Sequence, residues 1–516
     1  MDTGFTSGLH SRFLRGLELS GGGVAVHVGE QALTYPQLND LALLWGGALA
    51  QAGARTVGVL AGKGVTAYAG ILAGLYAGAT VVPLRPDFPA ARTGQMVEAA
   101  GVDAIVADAR GLALLPEVLG ERRVTVLAPE CGDQPSVLRP LASQALVAPR
   151  PVRPEDTAYV LFTSGSTGRP KGVRIGNAAT DHYFDLLDAR YDFTPDDVFS
   201  QTFDLNFDCA MFDLFCAWGA GAAVCFVPAH AYRDMPAFFA AKNVTVWFST
   251  PSAIGLVRRM GGLEPGAMPT LRWSFFAGEA LKCADAADWQ AAADDSILEN
   301  LYGPTELTVT ITAHRWTNAS QDLAVNGVVP IGSLNPGHVH LLITPDGEPT
   351  EDEGELCITG PQMTPGYLDP EDDKGRFLEH GGQTWYRTGD RVRWVAPDEL
   401  AYLGRMDSQV QIHGLRIELA EIDNAVRASG VEDAVTVTRE TAGGLELVVF
   451  YTGERVPPSE LNRRLCDKLP QSMVPKHYQH VDEFPLNSNR KVDRRKLAGV
   501  AADLLVSRTV RVGGGQ

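Results

Sequence analysis

The sequence predicts an α/β fold with substantial parallel sheet, on two observations. Up to about residue 400, short apolar runs such as RTVGVLAG and DAIVAD alternate with alanine-rich segments of helical period such as GVTAYAGILAGLYAGA. Strands that alternate with helices are typical of parallel sheets covered by helices. From about Leu342 the sequence becomes rich in strand and turn residues. We therefore predict a large N-terminal domain of packed α/β subdomains that ends in a small β-rich subdomain.

A smaller α+β domain is predicted after Gly404. The segment RMDSQVQIHGLRIELAEIDNAVRAS predicts a strand, a glycine turn and an amphipathic helix, and AVTVTRE with LELVVFY predicts paired strands. The length of 516 residues is itself too great for one ordinary domain. We predict an N-terminal core over residues 1–404 and a mobile C-terminal domain over residues 405–516, with a disordered tail from about residue 500.

Composition and charge exclude several classes of partner. The formal net charge of −18 argues against binding to nucleic acid, which depends on a basic surface, and against an anionic membrane. The seven cysteines form no C-x-x-C pair, which favours reduced thiols in a cytoplasmic protein. The first residues, MDTGFTSGLH, lack the apolar core of a signal peptide.

A glycine-rich loop, LFTSGSTGRPKG at residues 161–172, follows an apolar run. Its glycines allow backbone N–H groups to converge on a phosphate, its hydroxyls add donors, and Lys171 adds positive charge. It is not a Walker loop, because Arg169 and Pro170 separate Gly168 from the lysine. A mobile surface turn is the alternative interpretation.

Further motifs follow the loop along the chain. They are NLYGPTE at 300–306, GELCITGPQMTPGYL at 354–368, YRTGDRVRW at 386–394, GRMDSQVQIHGLRIELAEID at 404–423 and PLNSNRKVDRRKL at 485–497. In this order and spacing, the set resembles the adenylate-forming superfamily of acyl-CoA synthetases, luciferases and nonribosomal-peptide-synthetase adenylation domains. The resemblance covers nearly the whole chain. It implies that a carboxylate and ATP react to give an acyl-adenylate and pyrophosphate, a reaction governed by charge neutralisation and positioning.

The resemblance assigns most of an ATP site. Tyr302 is expected to stack on adenine, with Asn300 near the adenine amino group. Asp390 is expected to accept both ribose hydroxyls, and Arg405 also reaches the ribose. The residues expected to wrap the β- and γ-phosphates are Thr163, Ser164, Gly165, Ser166, Thr167, Gly168 and Lys171.

Catalytic roles are implied for three further residues. Thr305 is expected to contact the α-phosphate, and Glu306 to hold a Mg²⁺ ion that bridges phosphate oxygens. Lys491 is expected to bridge the substrate carboxylate and the α-phosphate. Family members usually have glycine at the position of Arg490, which is a departure within this loop.

A hinge is expected at Asp407. In the family, the small domain rotates there after adenylation, which removes the lysine and brings the Gly414 loop to the site. A pantetheine thiol then attacks the acyl-adenylate to give a thioester. A plain turn residue at Asp407 is compatible with this role, because hinges absorb backbone rotation in turns.

Asp208 is the candidate anchor for an amino-acid substrate. It lies in TFDLNFDCAMFDLFCAW, residues 202–218, and shares a helical face with Phe212. Aspartate before an apolar run is also a frequent N-cap. In amino-acid-activating members the aspartate at this place pairs with the substrate α-ammonium, and an anion in an apolar wall needs such a partner. Asp204, one turn earlier, is the competing candidate.

The remaining wall positions implied by the resemblance are uncharged. They are Cys209, Phe212, Phe248, Phe275, Ala277, Leu301, Val309 and Thr310. The volume of the three phenylalanines favours a small, uncharged substrate side chain, as in glycine, alanine, serine or 2-aminobutyrate. Alternatively, some of these rings point into the core and leave a larger space.

The resemblance also implies the acceptor. No carrier serine motif of the form GGDS follows Lys491 and no HHxxxDG motif occurs, which favours a free-standing enzyme that loads the phosphopantetheine of a separate carrier protein in nonribosomal peptide or polyketide biosynthesis. The alternative is an acyl- or aryl-CoA ligase that uses free coenzyme A. A non-catalytic protein on this fold is disfavoured by the presence of Lys171, Glu306, Asp390 and Lys491. The oligomeric state is open between monomer and homodimer.

Overall fold

The computed structural model describes residues 8–131, 137–165, 168–407, 409–441, 444–486 and 492–509. The chain divides into two compact units. The first comprises Met1–Pro86, Met96–Phe162 and Lys171–Met406, and the second comprises Asp87–Gln95, Thr163–Pro170 and Asp407–Gln516. Along the chain, the last segment of the first unit therefore ends at Met406, and the last segment of the second unit begins at Asp407.

The apolar runs RTVGVLAG and DAIVAD both contain strands, as predicted. Many strands are described up to residue 406. They are β1 Val24–Val28, β2 Gln31–Thr34, β3 Thr56–Leu60, β4 Thr80–Leu84, β5 Ala104–Ala107, β6 Thr125–Leu127, β7 Thr157–Thr163, β8 Lys171–Gly176, β9 Val198–Gln201, β10 Ala223–Phe226, β11 Val246–Ser249, β12 Trp273–Phe276, β13 Ile297–Tyr302, β14 Thr312–Arg315, β15 Ser333–Leu334, β16 Val339–Ile343, β17 Pro349–Thr350, β18 Glu353–Thr359, β19 Phe377–His380, β20 Gln383–Ala396 and β21 Glu399–Arg405.

The helices that begin before residue 406 separate many of these strands. They are α1 His10–Ser20, α2 Tyr35–Gln51, α3 Val65–Tyr76, α4 Ala90–Ala99, α5 Ala109–Leu119, α6 Asn177–Arg190, α7 Asp208–Ala220, α8 Met235–Lys242, α9 Ser252–Arg259 and α10 Cys283–Ala292. Local signals explain several starts. Thr34 and Gln37 form a capping box on α2, and Asp108 caps α5.

Two largely parallel sheets and one antiparallel sheet result. One sheet runs β15-β14-β13-β12-β11-β9-β10-β1-β2, another β6-β5-β3-β4-β7-β8, and the antiparallel sheet β17-β16-β18-β20-β19 with β21 beside β20. The first two sheets share a core in which α3 and α7 are buried along nearly their whole length. The antiparallel sheet has its own core around Leu356 and Tyr386. The predicted α/β class and β-rich subdomain are confirmed.

The second unit is a small α+β assembly after residue 407. Its elements there are the hairpin β22 Gln409–Ile412 and β23 Leu415–Glu418, then α11 Leu419–Arg427, β24 Asp433–Thr441, β25 Gly444–Thr452, α12 Pro458–Cys466, β26 His477–His480 and α13 Arg494–Thr509. The last helix differs from the expectation of disorder from about residue 500, because buried Leu497 and Ala501 anchor it on β24 and β25. Gly414 turns the hairpin at a φ of 76°.

Within the ranges that the structure describes, no helix combines the length and the apolar character needed to cross a bilayer. All seven cysteines lie in those ranges and carry free thiols.

Candidate active site

Tyr302, Asp390 and Arg405 form one hydrogen-bonded group in the first unit. The Tyr302 hydroxyl donates to Asp390 Oδ2 at 2.7 Å, and Arg405 Nη1 lies 3.0 Å from Oδ1 of the same carboxylate. Asp390 and Arg405 face each other across the β20–β21 ladder, which fixes their pairing. Burial, and then the adjoining Asp390, raise the pKa of Tyr302 well above its usual value, so its hydroxyl stays a donor. The structure thus brings together three residues that the sequence assigned to the nucleoside.

Asn300 lies two residues before Tyr302 on the same strand. Its amide Nδ2 donates to the Pro330 carbonyl at 2.8 Å, and Val329 O is 3.4 Å away. The side chain is almost completely buried. Because both nearby carbonyls accept from Nδ2, the orientation of the carboxamide is fixed and Oδ1 is the atom left for an adenine amino group.

Glu306 and Lys171 meet at Tyr367. The Tyr367 hydroxyl donates to Glu306, whose side chain is 1% exposed. Lys171 Nζ lies 5.8 Å from the centre of the Tyr367 ring and 3.8 Å from the Asp372 carboxylate. The expected phosphate lysine and metal carboxylate therefore contact the same aromatic side chain. Sequence reasoning assigned no role to Tyr367, although it lies in the quoted GELCITGPQMTPGYL motif.

Asp208 is a buried carboxylate at the first residue of α7. Its Oδ1 accepts from the backbone N–H of Cys209 at 2.8 Å, and the Thr305 side chain donates a further hydrogen bond. Burial raises the pKa of Asp208 to about 6, and the nearby Glu306 contributes in the same direction. The N-cap of α7 is Phe207 rather than Asp208. Within the described ranges no cationic side chain pairs with this carboxylate.

Asp204 has a different environment. Arg85 forms an ion pair with it, and Lys63 Nζ lies 3.6 Å from its Oδ1. Its side chain is 36% exposed, whereas Asp208 is 8% exposed as a residue. The charge of Asp204 is therefore already neutralised, so Asp208 is the carboxylate that lacks a cation.

Phe212, Phe248 and Phe275 pack on one another. The ring centre of Phe212 lies 4.8 Å from that of Phe248 and 5.3 Å from that of Phe275. Phe248 also contacts Phe275, and all three contacts are edge-to-face. Each side chain is at most 1% exposed. Edge-to-face pairs of this kind contribute about 0.5–1.5 kcal/mol each beyond their buried area. The three rings therefore pack against one another as part of the core, and they occupy the volume at their contacts.

The other predicted wall residues belong to the same core. Ala277 follows β12, Leu301 lies on β13, and Cys209 packs against this core at the start of α7. Val309 and Thr310 follow the 3₁₀ turn Thr305–Leu307, and Thr310 Oγ lies 2.9 Å from the Tyr183 hydroxyl. None of these side chains is charged.

Residues 163–170 of the glycine-rich loop, and the expected hinge residue Asp407, belong to the second unit. Thr163 ends β7, and Gly168 N donates to Gly165 O at 3.0 Å. The Ser164 hydroxyl donates to the Arg416 carbonyl at 2.7 Å and accepts from Glu418 N at 3.1 Å. Asp407 accepts from Gln409 N at 3.1 Å. Ser166, Thr167, Arg490 and Lys491 lie outside the described residues.

Glu306 is the carboxylate expected to hold a magnesium ion. In the described part of the chain, no group of three His, Cys, Asp or Glu side chains converges on a metal position. Mg²⁺ commonly takes one or two protein carboxylates and completes its ligands with phosphates and water. Glu306 provides such a single carboxylate, fixed by Tyr367.

Comparison with known proteins gives consistent matches. A family model described as AMP-binding enzyme matches residues 17–368. An L-proline–(L-prolyl-carrier protein) ligase of Pseudomonas fluorescens is 32% identical over 509 residues, covering 95% of this chain and 98% of that one. Four further curated relatives are longer proteins, of which the chain spans between 8% and 44%.

Solved structures agree over nearly the whole chain. That of IdnL7 is 56% identical with a TM-score of 0.76, and the alignment covers 96% of this chain and 99% of that one. The adenylation domain AlmE of Vibrio cholerae, solved with glycyl-adenosine-5'-phosphate, is 28% identical with a TM-score of 0.84 and covers 95% and 97%.

Proposed function

The chain belongs to the AMP-binding enzymes, and from this premise we propose that it activates an amino acid as an aminoacyl-adenylate and transfers it to a carrier-protein thiol. Membership confirms the resemblance to the adenylate-forming superfamily and the prediction of an enzyme. The name of the Pseudomonas fluorescens ligase and the ligand of AlmE both support an amino acid as the activated acid.

The single observation that carries the choice of an amino acid is the state of Asp208. Its carboxylate is buried, has a raised pKa and has no cationic partner among the described residues. An α-ammonium group supplies the missing charge, because a buried carboxylate without a counter-ion is strongly disfavoured. A plain carboxylic acid would leave this cost unrelieved.

In the first step, a substrate carboxylate oxygen bonds to the α-phosphorus of ATP as the bond to pyrophosphate breaks. Tyr302, Asp390 and Arg405 hold the nucleoside, while Lys171 supplies positive charge for the terminal phosphates. Glu306 would hold Mg²⁺, which would neutralise phosphate charge when bound. The role of Lys491 at the reacting carboxylate remains a prediction.

In the second step, a thiol attacks the activated carbonyl and AMP leaves as a thioester forms. The acceptor that we propose is the phosphopantetheine arm of a separate carrier protein, in nonribosomal peptide or polyketide biosynthesis. Rotation about Asp407 between the two steps is part of this proposal. Hinges at unit boundaries absorb backbone rotation of this kind.

The packed rings support a small, uncharged substrate side chain. We take Phe212, Phe248 and Phe275, which pack on one another, as one wall of the amino-acid site, so that their volume leaves room only for a small side chain. Because interiors are close-packed, an extra large group would force these rings off their contacts. Glycine, alanine, serine and 2-aminobutyrate are the candidates.

The test is amino-acid-dependent ATP–pyrophosphate exchange across a panel that includes these candidates, larger amino acids and acids without an amine. We expect strong exchange with one small amino acid and loss of exchange in Asp208→Asn. Asp204→Asn is the matched control, because the Asp204 carboxylate is already paired with Arg85 and Lys63. This variant should keep the substrate preference of the wild-type enzyme. Exchange only with acids that lack an amine, followed by thioester formation on free coenzyme A, would replace the proposal with an acyl- or aryl-CoA ligase.

A further inference from the structure

The backbone is strained at the second and third residues after Glu306. Thr308 has a φ of 55° and Val309 a φ of 68°. Left-handed backbone is rare for β-branched residues, and two such residues in succession need support from their surroundings. Both are buried, at 0% and 2% exposure. This turn joins the predicted metal carboxylate to the predicted wall residues Val309 and Thr310.

Gln362 supplies much of that support. Its Nε2 lies 3.0 Å from Leu307 O, 3.2 Å from Thr308 O and 3.0 Å from Thr310 O. The residue is 0% exposed, and its backbone carbonyl accepts from the Thr308 hydroxyl at 2.7 Å. The two N–H groups of this carboxamide are therefore shared among three carbonyls of the turn, of which Thr308 O also accepts from Thr310 N and Thr310 O also accepts from Asn335 Nδ2.

The orientation of this carboxamide is fixed. Asn335 Nδ2 donates to Gln362 Oε1 at 3.0 Å and also to Thr310 O at 2.9 Å. Arg190 in turn donates to Asn335 Oδ1 at 2.8 Å. With Oε1 occupied by a donor, Nε2 must face the three carbonyls.

The same short segment holds the preceding residue. Thr364 N donates to the Glu306 carbonyl at 2.8 Å, and Tyr367 donates to the Glu306 carboxylate. Residues 362–367 thus follow the backbone from Glu306 to Thr310. The amide of Gln362 binds the later part of this stretch, from Leu307 to Thr310, which includes the predicted wall residues.

We propose that Gln362 is a positioning residue for the amino-acid site, which sets the shape of the wall by holding Thr308 and Val309 in their strained conformation. It acts through the turn and does not touch substrate. The inference rests on the proposed function, because it takes Val309 and Thr310 as part of the wall. It predicts that binding of the amino acid depends on Gln362 far more than binding of ATP does.

The first variant is Gln362→Met, which keeps the length of the side chain and removes both N–H donors. We expect KM for the preferred amino acid to rise about tenfold or more, as for the loss of buried hydrogen bonds. Discrimination against the next larger amino acid should fall, while KM for ATP changes less than about threefold. Exchange kinetics measure all three quantities, and thermal unfolding shows whether the variant is folded.

The second variant separates positioning from simple packing. Thr308→Gly accepts a positive φ without strain, so the double variant Gln362→Met/Thr308→Gly should recover part of the lost affinity and discrimination. If Gln362→Met does not fold, Gln362→Asn replaces it in the test. Its side chain keeps the amide but is one methylene shorter, so the amide lies farther from the carbonyls. This variant should show the same selective rise in KM for the amino acid.

The outcomes are distinct. An unchanged KM and unchanged discrimination in folded Gln362→Met would overturn the inference. Equal losses for amino acid and ATP, with a lower melting temperature and no recovery in the double variant, would show a merely structural role. If the wild-type enzyme shows no amino-acid-dependent exchange, the proposed function fails instead.

Discussion

The raised pKa of Asp208 predicts how amino-acid activation depends on pH. Burial raises this pKa from 3.8 to about 6, a difference that corresponds to roughly 3 kcal/mol against the buried carboxylate. Only the ionised form pairs with an ammonium group. We therefore expect kcat/KM for the amino acid to be constant above about pH 7 and to fall about tenfold by pH 5, as the free enzyme protonates.

Asp208→Asn tests the same charge directly. The variant keeps the shape of the side chain but cannot ionise, so kcat/KM for the amino acid should fall roughly a hundredfold at pH 8, as for loss of one partner of a buried charge pair. Its profile between pH 5 and 7 should be flat. Because ATP also titrates near this range, kcat/KM for ATP at saturating amino acid and the Asp204→Asn variant serve as controls.

Two results would refute this reasoning. One is a wild-type enzyme in which kcat/KM for the amino acid and kcat/KM for ATP depend on pH in the same way down to pH 5. The other is an Asp208→Asn enzyme that retains wild-type kcat/KM for the amino acid. Either would mean that the buried carboxylate does not receive the substrate amine.

Three further predictions follow from the site. Because the folded pKa of Asp208 lies above its unfolded value, its ionisation destabilises the free enzyme as pH rises from about 4 to 6, so Asp208→Asn should melt at a higher temperature than wild type at pH 8 and at a similar one at pH 4. Phe212→Ala should cost about 3–5 kcal/mol in the free energy of unfolding and permit exchange with larger apolar amino acids, and an unchanged panel in a folded variant would contradict the predicted wall. Tyr367→Phe removes the hydroxyl that holds Glu306. It should raise the Mg²⁺ concentration for half-maximal exchange about tenfold, with little change in KM for the amino acid. An unaltered Mg²⁺ dependence would contradict the role of Glu306.

Sequence patterns predicted those parts of the molecule that depend on local order along the chain. Alternating apolar runs predicted β3, β4 and β5, and the ordered motifs predicted the residues that meet at Asp390. The choice between Asp204 and Asp208 was open, because it depends on Lys63 and Arg85, which lie far away in sequence. The last helix begins where Leu497 and Ala501 are buried against strands that lie far away in sequence, which local patterns do not show.

Backbone strain was beyond sequence reasoning for a physical reason. The β-branched residues Thr308 and Val309 favour extended backbone, so their own preferences point away from the conformation that they adopt. The hydrogen bonds that Gln362 donates to the carbonyls of this turn explain that conformation, and this donor lies some fifty residues away in sequence. Propensity and tertiary contacts disagree here, as they often do near functional sites.

Under the proposed function, the edge-to-face packing of Phe212, Phe248 and Phe275 constrains how substrate choice can change during evolution. Since each ring supports the other two, a single replacement changes the pocket and weakens the core at the same time. A lineage that acquires a larger substrate must therefore alter these positions together or compensate elsewhere for the lost stability. Among homologous sequences, the three positions should covary, and intermediates with one altered ring should be rare.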